Sequence, residues 1–122
     1  MKVLLVEDEI LIQKSLKMLM EKRGAEVVAV SSGKDAILEI KQQEFDRIVC
    51  DLMLTDISGF DVIEESKSKL STEEISSKFI IITAYSSSQV IEKANNYGCK
   101  VLNKPFENIN EVIEIFLTNE RT

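Results

Sequence analysis

At 122 residues, with 44% apolar and 30% charged side chains, the chain has the size and mix of one domain whose core needs no disulfide or metal staple. A net charge of -6 argues against a basic, phosphate-binding face. The absence of histidine removes the commonest general base, the commonest zinc ligand and every histidine-dependent triad. Any chemistry must therefore run on carboxylates, hydroxyls, lysine or an oxygen-bound metal.

The first element, KVLLV at Lys2–Val6, is short and apolar without alternation, as a strand buried on both faces of a parallel sheet reads. Ile12, Leu16, Leu19 and Met20 form the first helical stripe, and Gly24 follows where a left-handed helix cap is expected. EVVAV at Glu26–Val30 is the second strand, and Ala36, Ile37 and Ile40 mark the second helix. RIVC at Arg47–Cys50 is the third strand, with Cys50 read as a small buried thiol; two cysteines, Cys50 and Cys99, are too few for a disulfide framework. After Gly59 the pattern weakens: Phe60, Val62, Ile63 and Leu70 sit in a largely charged stretch. Lys67–Lys78, the most polar part, reads as a helix end and a connection, with at most a short turn capped by the Ser71/Glu74 pair. FIIIT at Phe79–Thr83 is the fourth strand, Val90, Ala94 and Tyr97 give a further stripe ending at Gly98, and KVLN at Lys100–Asn103 is the fifth strand. Ile109, Val112, Ile113, Phe116 and Leu117 complete the last helix.

Five strands alternating with five helices form a βα repeat, and right-handed crossovers then require a doubly wound parallel sheet with helices on both faces. In such a sheet ligands sit beyond the carboxyl ends of the strands. The first strand runs out into Glu7 and Asp8, the third into Asp51, the fourth into Thr83 and the fifth into Lys104, next to the only proline, Pro105. Any one of these is ordinary: a lone strand-end carboxylate is usually a helix cap or a solvated loop residue. Together they suit phosphoryl transfer to Asp51. Clustered acids stay ionised only beside a cation, hard oxygen donors select magnesium, Lys104 would screen phosphate charge, and the Thr83 hydroxyl would bond a phosphoryl oxygen.

The segments LLVEDE, VCDLMLTDISG, IIITAY and LNKPF, in this order and spacing, resemble the four signature segments of response-regulator receiver domains of the chemotaxis type. The resemblance covers essentially the whole chain and implies one receiver domain over 1–122, with a flavodoxin-like, five-stranded, five-helix three-layer fold. It implies that Asp51 accepts a phosphoryl group from a histidine kinase or histidine phosphotransfer protein. Asp8 would bind magnesium (or manganese) directly, Glu7 would hold it through water, and the Met53 backbone carbonyl would complete the set with Asp51. Thr83 would be the switch hydroxyl and Lys104 the phosphate-contacting amine, and Lys104–Pro105 falls at a customary cis peptide. The implied protein is a cytoplasmic signalling switch, not an enzyme beyond its own phosphoryl transfer and autodephosphorylation. It would control an output protein or domain, with a phosphorylation-dependent homodimer as one form, and would touch neither nucleic acid nor membrane.

Two departures stand out. Val101 occupies the position, three before the lysine, where relatives carry an aromatic ring, and Thr55 replaces a frequent proline. Two other readings compete. A magnesium-dependent phosphohydrolase would need a second acid two residues after Asp51, where this chain has Met53. A flavodoxin-like binding module would need a glycine-rich phosphate loop where the chain has VEDEIL.

Overall fold

The computed structural model describes residues 1–118. Five parallel strands, β1 (Lys2–Val6), β2 (Glu26–Val30), β3 (Arg47–Asp51), β4 (Phe79–Thr83) and β5 (Lys100–Asn103), form one sheet in the order β2-β1-β3-β4-β5. Alternate residues of the central strands face opposite layers. Val3, Leu5, Val49, Ile80 and Ile82 pack with Leu16 and Met20 of α1 (Ile10–Lys22) and with Ile113 and Phe116 of the C-terminal helix. Leu4, Val6, Ile48, Cys50 and Ile81 join the other core. This core includes Ala36 and Ile40 of α2 (Gly33–Gln42), Val62 and Ile63 of α3 (Gly59–Ser66), Ile75 of α4 (Thr72–Lys78) and Ala94 of α5 (Ser88–Tyr97). Burial on both faces is why these strands read as unbroken apolar runs.

The described residues hold six helices, ending with α6 (Ile109–Leu117), rather than five. The additional one is α4, in the polar stretch expected to be a connection. Ser71 Oγ accepts from the Glu74 amide while the Glu74 carboxylate accepts from the Ser71 amide, and buried Ile75 anchors the two turns that follow. This reciprocal cap starts a helix independent of α3, which ends at Ser66. Gly98 takes a left-handed φ of 75° at the end of α5, which only glycine adopts at no steric cost.

At the opposite end of the sheet from the strand termini considered below, buried Arg47 binds α4 and α6 to β3. Its Nη1 donates to Ser77 O at 2.7 Å and its Nε to Phe116 O at 3.0 Å, and Nη2 also donates to Thr118 O. A cation at these helix ends also complements their dipoles. Cys50 and Cys99 are both free and buried.

Candidate functional site

The sheet register delivers the acids. Beyond the Val6–Val30 pair, the Glu7 amide donates to Val30 O at 3.1 Å before the chain turns into α1, so Glu7 lies wholly buried and Asp8 half-buried at the crevice. Asp51 is the last residue of β3 and only 3% exposed. Glu7, Asp8 and Asp51 each place a carboxylate oxygen within 4.8 Å of the others. Lys104 reaches into the cluster: its amide donates to Thr83 O at 2.8 Å, its bond to Pro105 is cis, and its Nζ lies 2.9 Å from Glu7 Oε1 and 3.1 Å from Asp51 Oδ2.

One ammonium cannot neutralise three carboxylates. Burial pushes the Glu7 carboxyl up to about 7, against the opposing hydrogen bond from Lys104. At Lys104 burial favours the neutral amine, but the bonds to Glu7 and Asp51 outweigh it and hold the ammonium above its ordinary value. The site is thus an oxygen-donor set with an excess of negative charge, which is the chemistry that takes a hard divalent cation.

Met53 sits beside this cluster through its main chain, its amide donating to Asp51 Oδ1 at 3.2 Å. Its side chain is 58% exposed. The loop that carries it folds back so tightly that a Cβ on Gly59 would lie 2.7 Å from Asp51 O. Thr83 is buried at the end of β4, but its hydroxyl is not on Asp51: it accepts from the Tyr85 amide at 2.9 Å. Val101 is half-buried on β5 and Thr55 is exposed.

Two positioning side chains escaped the sequence reading. Gln13, buried on α1, donates from Nε2 to Glu7 O at 2.8 Å and Val30 O at 3.0 Å. The one signal for it was an amide beside the apolar stripe of that helix. Asp56 accepts from the Gly33 and Lys34 amides, both at 3.0 Å, and so ties the loop after β3 to the start of α2. What burial it has opposes ionisation, yet these amides hold its carboxyl below the usual range.

A sequence model of the response regulator receiver domain matches residues 3–116. The chain belongs to the response regulator receiver family. The transcriptional regulatory protein CrdR of Helicobacter pylori is 28% identical over 107 residues, which cover 87% of this chain and 49% of CrdR. The transcriptional regulatory protein ZraR of Escherichia coli is 29% identical over 115 residues, covering 92% of this chain and 25% of ZraR. The chain thus spans half or less of the length of these curated relatives. The receiver domain of Francisella response regulator 1452 superposes with a TM-score of 0.80 at 27% identity, over 94% of this chain and 92% of that one. A receiver domain is a signalling switch rather than a turnover enzyme. No helix among the described residues is long and apolar enough to cross a membrane.

Proposed function

We propose that residues 1–122 form one receiver domain whose phosphoacceptor is Asp51. The observation that carries this reading is the Lys104 ammonium held between Glu7 and Asp51 in a buried acid cluster at the strand ends. In the transfer, an Asp51 carboxylate oxygen bonds to phosphorus as the P–N bond of a donor phosphohistidine breaks and the imidazole leaves. Lys104 exchanges part of its contact with Asp51 for a phosphoryl oxygen, and Thr83 turns its hydroxyl from the Tyr85 amide toward the same group. Glu7, Asp8, Asp51 and the Met53 carbonyl are the groups that would hold magnesium, or manganese in its place. Bound there, the ion would offset the charge of acids and phosphate together.

The donor is a histidine kinase or a histidine phosphotransfer protein. An open apolar groove lined by Leu11, Ile12, Leu16, Pro105, Phe106 and Ile109 runs beside Lys104. Leu11 and Met18 stand 78% and 52% exposed on α1, where a helical donor would dock. The output is a further domain or a separate protein, with phosphorylation-dependent self-association as one form and the cytoplasm as the site of action.

Incubation with acetyl phosphate, followed by mass spectrometry, tests the reading. One phosphoryl adduct is expected on the wild type with magnesium, and none on Asp51→Asn or in EDTA. An adduct of equal yield on Asp56, or one indifferent to EDTA, would overturn it.

A further inference from the structure

The acid pair leaves β1 just where the sheet's own hydrogen bonding ends. Val30 O takes the Glu7 amide, but β2 ends there and gives no main-chain donor to Glu7 O. A side chain from the next helix fills the gap. Gln13 Nε2 donates to Glu7 O at 2.8 Å, to Val30 O at 3.0 Å and to Ser31 Oγ at 3.2 Å. Two of these partners are carbonyls, so only the amide nitrogen can face them and the orientation of the side chain is fixed. Gln13 is 8% exposed, on the face of α1 that otherwise buries Leu16 and Met20.

We infer that Gln13 is a positioning residue for the cation-binding acids: by holding the Glu7 carbonyl it fixes the peptide from which the Glu7 and Asp8 carboxylates project. The amide acts as an added rung of the sheet, joining the end of β1 to the end of β2. Without a donor, Glu7 O becomes a buried acceptor with no partner. The peptide then rotates to find one, carrying with it the carboxylate that meets Lys104. The inference rests on the cation-dependent phosphoacceptor reading of the site. Its consequence is that cation affinity depends on a hydrogen-bond donor at position 13 rather than on apolar volume there.

The test measures Mn2+ affinity from paramagnetic broadening of backbone amide resonances, with thermal unfolding recorded on each variant. Gln13→Met keeps length and removes the donor; Gln13→His, measured at pH 8 where the ring is neutral, keeps an N–H donor of similar reach without adding charge. Outer-sphere partners of metal ligands typically contribute about 10- to 100-fold in affinity. Acting one step further out, the Met variant should bind at the low end of that range, about tenfold weaker, and His should bind within a few fold of wild type. A packing role predicts the reverse order, since methionine suits a core and histidine does not. Ser31→Ala, which spares the bond to Glu7, should bind like wild type and serves as the folded reference. Met binding as tightly as wild type, or His binding more weakly than Met, would overturn the inference. If the wild type itself neither binds Mn2+ nor gains phosphate on Asp51, the phosphoacceptor reading falls and takes this inference with it.

Discussion

The Lys104 ammonium lies 3.1 Å from Asp51 Oδ2 while its other close partner, Glu7 Oε1, is 2.9 Å away, and its side chain is only 9% exposed. Two buried acids thus share one cation. Breaking a buried ion pair typically costs about 3–5 kcal/mol, but a carboxyl that can take up a proton escapes part of that cost. In EDTA, Lys104→Met should therefore lose roughly the lower end of this range at pH 8 and clearly less at pH 6, where Glu7 is mostly protonated. Urea unfolding at the two pH values reads the difference. An equal loss at both would mean that Lys104 does not hold Glu7 charged.

The pH dependence of the unmodified chain follows from the same carboxyl. Glu7 holds its proton to about 7 when folded, against an ordinary value of 4.5, so between these limits the folded state binds more protons than the unfolded one. Stability must then fall as pH rises through this window, by at most about 3 kcal/mol. Asp56 is shifted the opposite way, so its contribution is lost only as pH falls below the usual carboxylate range. Glu7→Gln should abolish the neutral-range slope, and saturating magnesium, which favours ionised acids, should flatten it. A slope that survives Glu7→Gln would assign the effect elsewhere.

Gly59 is set by contact rather than by conformation. A Cβ there would lie 2.7 Å from Asp51 O and 3.1 Å from Leu52 Cα, both main-chain atoms that cannot step aside without moving Asp51, the proposed phosphoacceptor. Gly59→Ala should cost about 1–3 kcal/mol of stability, as overpacking usually does. It should also slow phosphorylation by acetyl phosphate at temperatures where the variant is folded. Unchanged stability and rate would show that the loop relaxes freely.

The switch role proposed for the Thr83 hydroxyl carries its own test. Its hydroxyl accepts from the Tyr85 amide at 2.9 Å, so drawing it toward a phosphoryl group must release that amide. Val101, small and half-buried, offers no large ring to follow the movement. On adding beryllofluoride, a phosphoryl mimic, backbone amide shifts should be large at Tyr85 and through Ser86–Tyr97 and small over Lys100–Asn103. The opposite distribution would place the switch on β5, and Thr83→Ala should weaken the response wherever it lies.

The central strands β1, β3 and β4 were legible because both their faces are buried, leaving apolar runs with sharp polar ends, while the less buried edge strands β2 and β5 were read from the short apolar runs VVAV and VL. The strand ends are where Glu7, Asp8, Asp51, Thr83 and Lys104 stand. The helix over Thr72–Lys78 was not, since it buries only Ile75 and depends on a local cap instead of an apolar stripe. Gln13 and Asp56 were hidden for a different reason. Gln13 bonds Glu7 O six residues away across the β1–α1 turn and Val30 O 17 residues away, and Asp56 meets amides 22 and 23 residues away, so these partners become neighbours only once β2 and α2 are in place. The direction of the Thr83 hydroxyl was likewise invisible, because it is set by the turn after β4 rather than by the strand pattern.

The lifetime of the phosphorylated state should depend on two side chains at the mouth of the site. Met53 and Tyr85, each two residues beyond a site residue, are 58% and 68% exposed, and the receiver-domain resemblance puts both at the approach by which water would reach a phosphoryl group on Asp51 in line with the carboxylate. Neither carries a carboxylate or amide able to orient that water. Positioning of the nucleophile accounts for much of phosphoryl-transfer catalysis, so bulk without orientation should slow hydrolysis. The phosphorylated chain should then be long-lived for its family, which suits sustained signalling. Replacing Met53 with asparagine and Tyr85 with alanine opens the approach and adds one amide near it. Loss of phosphate, followed without kinase or phosphatase, should speed up severalfold in each single variant and further in the double. Slower loss in the double variant than in the wild type would mean that the native side chains assist water rather than exclude it.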